Sequence, residues 1–133
     1  MGSEKIWIFL CVFLGSGLGG VARYGSGIWL YQVVPSHFPT STLCVNVVGS
    51  LLIGVLAFLS KNGEAWISNE NVQIGLMVGF CGGFTTFSSF SLQTLELFQN
   101  ERYWLCLWNI LGNFILCLFA VWTGYILTQV IRI

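Results

Sequence analysis

Aspartate is absent from this 133-residue sequence, histidine occurs once, and proline occurs twice. Charged side chains make up 8% of the chain, against 56% hydrophobic residues. A soluble domain carries charge at roughly 25% of its positions, so a soluble globular fold is excluded. Five basic residues balance five acidic ones, which leaves no net charge to draw in nucleic acid or another polyanion. The lone His37 and the scattered cysteines (Cys11, Cys44, Cys81, Cys106, Cys117) form no C-x-x-C or Cys/His spacing. That pattern argues against a soluble-type metal or nucleophilic site. All five cysteines fall in apolar segments, where the thiol behaves as a small hydrophobe, and His37 reads as a solvated turn residue.

What the chain does have is long uncharged runs. Its few charges leave residues 6–22, 24–60, 71–95 and 103–131 without any. Crossing about 30 Å of hydrocarbon takes about 20 apolar residues at about 1.5 Å each. The second run holds more than one span, but it also contains PSHFP at 35–39, which reads as a turn because proline disfavours a helix interior. The expectation is one all-α membrane domain of four helices at about 6–31, 40–60, 71–98 and 103–131. Trp7, Trp29, Tyr31, Trp66, Tyr103, Trp104, Trp122 and Tyr125 lie near the proposed ends, where amphipathic rings favour the interface. Lys5 ahead of an apolar run ending in small residues also fits a secretory leader. Against that, GLGGVARYG continues as a helix end, and removing the run would leave three spans. With both termini on one side, that side holds Lys5, Lys61 and Arg132, and the other holds Arg23 and Arg102. Three against two is a weak orienting bias.

Polar residues recur inside these spans. Residues 79–91 read GFCGGFTTFSSFS. Gly82-Gly83, followed by Phe84-Thr85-Thr86, is a candidate helix break near mid-span. A break in lipid is tolerated only where protein or a polar cavity satisfies the freed backbone. The other reading is close helix packing through small residues; the hydroxyls that follow favour a functional break. Beyond it, Phe87 and Phe90 share a face beside Ser88 and Ser89. Thr42, Asn46, Gly49 and Ser50 form a small, polar stripe on the second helix. Asn109 and Asn113 do so on the fourth. Interhelical hydrogen bonding alone is the simpler account of such stripes, but three of them together point to a polar path.

No carboxylate lies near a span centre, and Glu96 falls toward a helix end. A proton-coupled cation exporter needs an acidic group in mid-membrane. The amide and hydroxyl donors suit an anion instead, and a phenyl ring presents a positive edge to one. Phenylalanines on an apolar helix are nonetheless commonly core residues. Arg23, seventeen residues beyond Ile6, is expected near the far interface, either snorkelling or drawing anions into a vestibule.

GGVARYG (19–25), STLCVNVVGSLLIG (41–54) and GFCGGFTTFSSFS (79–91) resemble the Fluc, or CrcB, fluoride channels, as do the four-span layout and the length. The resemblance implies an antiparallel, dual-topology homodimer with two fluoride pathways and a structural sodium ion where the broken third helices cross. It implies that Phe87 and Phe90 contact fluoride, with Ser88 and Ser89 between the rings, Asn46 as the amide, and Arg23 as the arginine of the first motif. Asn113 aligns with a Ser or Thr of the family's polar track. Gly82 and Thr85 match the positions whose main-chain oxygens hold sodium. Three departures stand out: Ser41 for the usual Gly, Gln93 where many members have Glu, and Asn113, which keeps donors but adds bulk. The implied activity is passive fluoride export across the cell (cytoplasmic) membrane, with no enzymatic reaction. The alternative is a small four-helix multidrug or cation exporter, disfavoured by the missing intramembrane carboxylate. A non-conducting scaffold subunit is a third reading.

Overall fold

The computed structural model describes residues 3–34, 37–62 and 67–131, with Ser3 and Glu4 as helical backbone only. Pro35 and Ser36 of the expected turn, Glu64, Trp66 and Arg132 lie outside the described residues. The chain runs through α1 (Ser3–Val33), α2 (Thr40–Lys61), α3 (Glu70–Ile74), a π-helical segment (Gly75–Cys81), α4 (Gly82–Phe84), α5 (Phe87–Gln99) and α6 (Tyr103–Ile131). Four stretches are long and apolar enough to cross a membrane: Lys5–Val33, Thr40–Lys61, Glu70–Gln99 and Tyr103–Ile131. No strand occurs among the described residues. This is an all-helical, multi-pass membrane protein.

Local chemistry sets the helix ends. Asn69 caps the third span, its side chain accepting the Asn71 N–H at 2.9 Å, as short polar residues do at helix starts. The same span ends by reversing tightly. Glu101 takes a left-handed φ of 58°, its N–H bonds Phe98 O at 3.1 Å, and Arg102 N–H bonds Leu97 O at 2.9 Å. This is a Schellman-type stop with glutamate in the place usually held by glycine.

Two helix pairs organise the bundle: α1 with the third span, and α2 with α6. In both, glycines let backbones touch. A Cβ on Gly83 would lie 2.5 Å from Ser16 O, and one on Gly79 would lie 3.1 Å from Gly15 Cα and Val12 O. A Cβ on Gly75 would lie 3.1 Å from Cys11 Cβ. Gly54 presses on Val121 O and Gly124 on Leu51 O in the other pair. A small core of Phe58, Leu59 and Ile67 closes one end of the bundle. There the Phe58 and Tyr125 rings meet edge-on at 5.3 Å.

The third span is broken within the expected Gly82–Thr86 stretch, at its threonines and not at its glycines. Gly82 is helical at φ −64°, ψ −37°, whereas Thr85 (−86°, 160°) and Thr86 (−152°, 112°) are extended. Glycine at 75, 79 and 83 serves contact with α1, the close-packing role. The two threonines make the break because Thr86 restarts the helix as its N-cap, its hydroxyl accepting the Ser89 N–H at 3.1 Å.

Candidate functional site

Asn46 pairs with both main-chain groups of Thr86 at the break. Asn46, on α2, accepts the Thr86 N–H through Oδ1 at 2.8 Å and donates from Nδ2 to Thr86 O at 3.2 Å. A primary amide presents a donor and an acceptor side by side, so it pairs with an extended residue as a neighbouring strand would. In lipid these main-chain groups have no water to turn to. Asn46 therefore makes the break affordable in the first place, a role the sequence alone did not assign to it.

Around this clamp the polar groups form one connected set. The Thr86 hydroxyl lies 3.0 Å from Ser89 Oγ and 3.2 Å from Ser88 Oγ. Asn46 Nδ2 also donates to Asn113 Oδ1 at 2.9 Å. Asn113 Nδ2 donates to Asn109 O at 3.0 Å and Oδ1 at 3.1 Å. Asn109, fully buried, donates to Thr94 Oγ1 at 2.8 Å, and Thr94 donates to Phe90 O at 2.7 Å. The stripes on α2, α5 and α6 thus meet at the break. Thr94 is a member that sequence reasoning did not single out, and Thr86 was read only as part of the break, not as a helix cap. For Thr86 the available signal was a hydroxyl three residues ahead of Ser89 at a helix restart, the pattern of an N-cap.

The rings are also brought together. Phe87 and Phe90 have centroids 5.3 Å apart at 56°, and Phe87 is 79% exposed, so its ring stands open at the surface of the single subunit. Arg23 is not at a helix end. Its guanidinium donates to Thr85 O at 3.2 Å, which sets the one charge of the first motif against the break. Counting helix rise placed it too far along, because rise along α1 says nothing about which part of a neighbouring span lies alongside.

Two cavities flank the break. One, about 520 Å³, is lined by Arg23, Ser41, Thr42, Thr86, Ser89 and Gln93 among others; among the described residues Arg23 is its only charged lining residue. Gln93 Oε1 is buried there without a hydrogen-bond partner among the described residues. The other, about 880 Å³ and more apolar, is lined by Asn46, Ser50, Gly82, Thr85, Phe87, Phe90 and Asn113 among others, with no carboxylate among the described residues. Thr86 lines both. The α2 stripe is therefore divided, Thr42 facing one cavity and Asn46, Gly49 and Ser50 the other.

The main-chain oxygens of Gly82 and Thr85 lie at the break. In a continuous helix the Thr86 N–H would bond Gly82 O, but it is turned to Asn46 Oδ1. A Cβ on Gly82 would meet nothing within 4 Å, so this residue faces the open groove. Thr85 O accepts from Arg23 and, like any carbonyl, retains a second lone pair. Neutral carbonyl oxygens freed at the break fit a hard cation. Sharing Thr85 O with a guanidinium favours a monovalent one.

Residues 10–125 match the family described as CrcB-like protein, Camphor Resistance (CrcB). A protein named fluoride-specific ion channel FluC from Coxiella burnetii (strain CbuK_Q154) is 42% identical over 123 residues, covering 89% of this chain and 94% of the relative. A protein of the same name from Paramagnetospirillum magneticum (strain ATCC 700264 / AMB-1) is 43% identical over 125 residues, covering 93% and 97%. One from Methylocella silvestris is 38% identical over 124 residues, covering 93% and 95%.

Proposed function

Since this chain belongs to the CrcB-like family, we propose that it is a fluoride channel. It lets the anion leave the cell passively and catalyses no reaction. The observation that carries this reading is the carboxylate-free groove at the helix break, where the Phe87–Phe90 pair stands beside Asn46 and Asn113. A small anion entering hydrocarbon must exchange its water for donors. Amide N–H, serine O–H and ring edges supply them without a fixed negative charge to repel it. Arg23 adds positive potential at the polar cavity on the far side of Thr86, which concentrates anions where the path begins.

The exposed Phe87 and the apolar groove favour a second copy as the cover, and the three-to-two basic count favours its insertion in the opposite sense. In such an antiparallel pair the two breaks meet, and Gly82 O and Thr85 O of each chain would hold a sodium ion. That ion would offset the partial negative charge of the gathered carbonyls. The membrane in which this reading sets the protein is the cytoplasmic one. A cation exporter lacks support in the groove, since no carboxylate among the described residues lines it.

The test is ion release from liposomes loaded with fluoride or chloride, read by ion-selective electrodes. Purified protein should release fluoride and leave chloride inside. Phe87→Ile keeps bulk but removes the ring edge and the ring pair, a contact worth about 0.5–1.5 kcal/mol, so release should slow by up to roughly tenfold. Equal release of both anions, or none of fluoride, refutes the channel reading.

A further inference from the structure

We infer that Asn113 is a latch on Asn46 and sets the rate at which an anion passes the break. The inference rests on the channel reading above and assigns a rate-setting residue to that same path.

The orientation of the amides propagates from the main chain. A backbone N–H only donates, so the Thr86 N–H fixes the near atom of the Asn46 amide as its oxygen. Both Asn46 Nδ2 protons are then engaged, one by Thr86 O and one by Asn113 Oδ1. With its oxygen turned to Asn46, Asn113 directs Nδ2 at Asn109 O and Oδ1. Asn109 in turn donates to Thr94, and Thr94 to Phe90 O. Every donor in this relay points the same way, and Asn46 has no N–H left for an anion. An anion in the groove gains one only by displacing a partner. Thr86 O belongs to the break and is anchored by the chain on both sides. Asn113 Oδ1 belongs to a side chain that releases Asn46 by rotating, giving up its own bonds to Asn109 as it does so. An anion is the stronger acceptor, since charge-assisted hydrogen bonds are roughly twice as strong as neutral ones. Asn46 and Asn113 line the same groove as Phe87 and Phe90, so the exchange takes place beside the ring pair.

Asn113→Ser keeps a hydroxyl but is too short to hold Asn46, so the donor is free before the anion arrives. One interhelical hydrogen bond in a membrane corresponds to a factor of roughly three. Fluoride release from proteoliposomes should therefore be about threefold faster in N113S than in the wild type. A purely structural role for Asn113 predicts the opposite sign. A conducting wild type with N113S equal or slower overturns the latch and leaves the channel reading standing. A wild type that releases no fluoride overturns both. If N113S does not assemble, the wild type alone decides the matter through the side-chain amide resonances of Asn46 and Asn113 in a fluoride titration. Both should shift with fluoride and neither with chloride; an Asn113 resonance unmoved by fluoride overturns the latch.

Discussion

Gly82 and Gly83 are adjacent and both helical, yet alanine at the two positions should have opposite consequences. A Cβ on Gly83 lies 2.5 Å from Ser16 O, 2.9 Å from Ser16 Cα and 3.1 Å from Ser16 C. All three are backbone atoms of α1, and none can swing aside as a side-chain tip does. Relief requires α1 and the third span to part along the contact that Gly15, Gly19 and Gly79 share. Overpacking a tight interior typically costs about 1–3 kcal/mol, and here it also opens neighbouring glycine contacts. A Cβ on Gly82 meets nothing within 4 Å, and exchanging a helical glycine for alanine gains about 0.5–1 kcal/mol. Within the subunit the two variants should therefore differ by about 1.5–4 kcal/mol. Thermal unfolding in detergent, followed by size-exclusion fluorescence on subunits kept dilute, should give Gly83→Ala a lower midpoint than the wild type and Gly82→Ala an equal or higher one. Coincident midpoints for the two variants would refute the packing explanation of this glycine pair.

Prolonged replacement of sodium by a large organic cation should abolish fluoride release, and returning sodium should restore it; full activity without sodium ends the proposal of a central cation. Gln93→Glu sets a carboxylate into the cavity where Arg23 is the only charged lining residue among those described. It should slow fluoride entry severalfold at neutral pH, a loss that shrinks as the pH falls and the carboxylate is protonated; a pH-independent rate equal to wild type contradicts the anion-vestibule role. A reporter fused at the C-terminus should be found on both sides of the membrane, and a single orientation would rule out antiparallel pairing.

The four spans were legible because so few charges punctuate the chain and each run between them has the length of a membrane crossing. The break was legible only as a disturbance. Glycine is read as a breaker by habit of soluble helices, but where backbones pack in lipid it is a contact residue, and Gly83 remains helical against Ser16. The actual interruption depends on Asn46, forty positions away from Thr86, a pairing that no local pattern encodes. Arg23 was misplaced for a similar reason, since its partner Thr85 O lies on another span. The polar stripes were visible as helical periodicity on α2 and α6. That Asn46 and Asn113 share a hydrogen bond across a separation of 67 residues requires the packing of those helices to be known.

The π-helical winding of Gly75–Cys81 bears on where the break faces. A four-residue step overshoots one α-helical turn by about 40°, so glycines at 75, 79 and 83 on a uniform α-helix would fan progressively around its axis. A π-helical turn closes its hydrogen bonds one residue later, so the same step falls short of a full revolution instead. The undershoot before Cys81 counters the overshoot after it, which keeps the three glycines on one meridian along α1. Rotational phase accumulated in this segment is handed on to everything that follows it. The azimuth of Thr85, Thr86 and Phe87 around the span is thus set upstream. Winding this segment as an ordinary α-helix with no residue removed would swing the break away from Asn46, although it touches none of the polar residues, whereas deleting one residue at the same time would return the break close to its present azimuth.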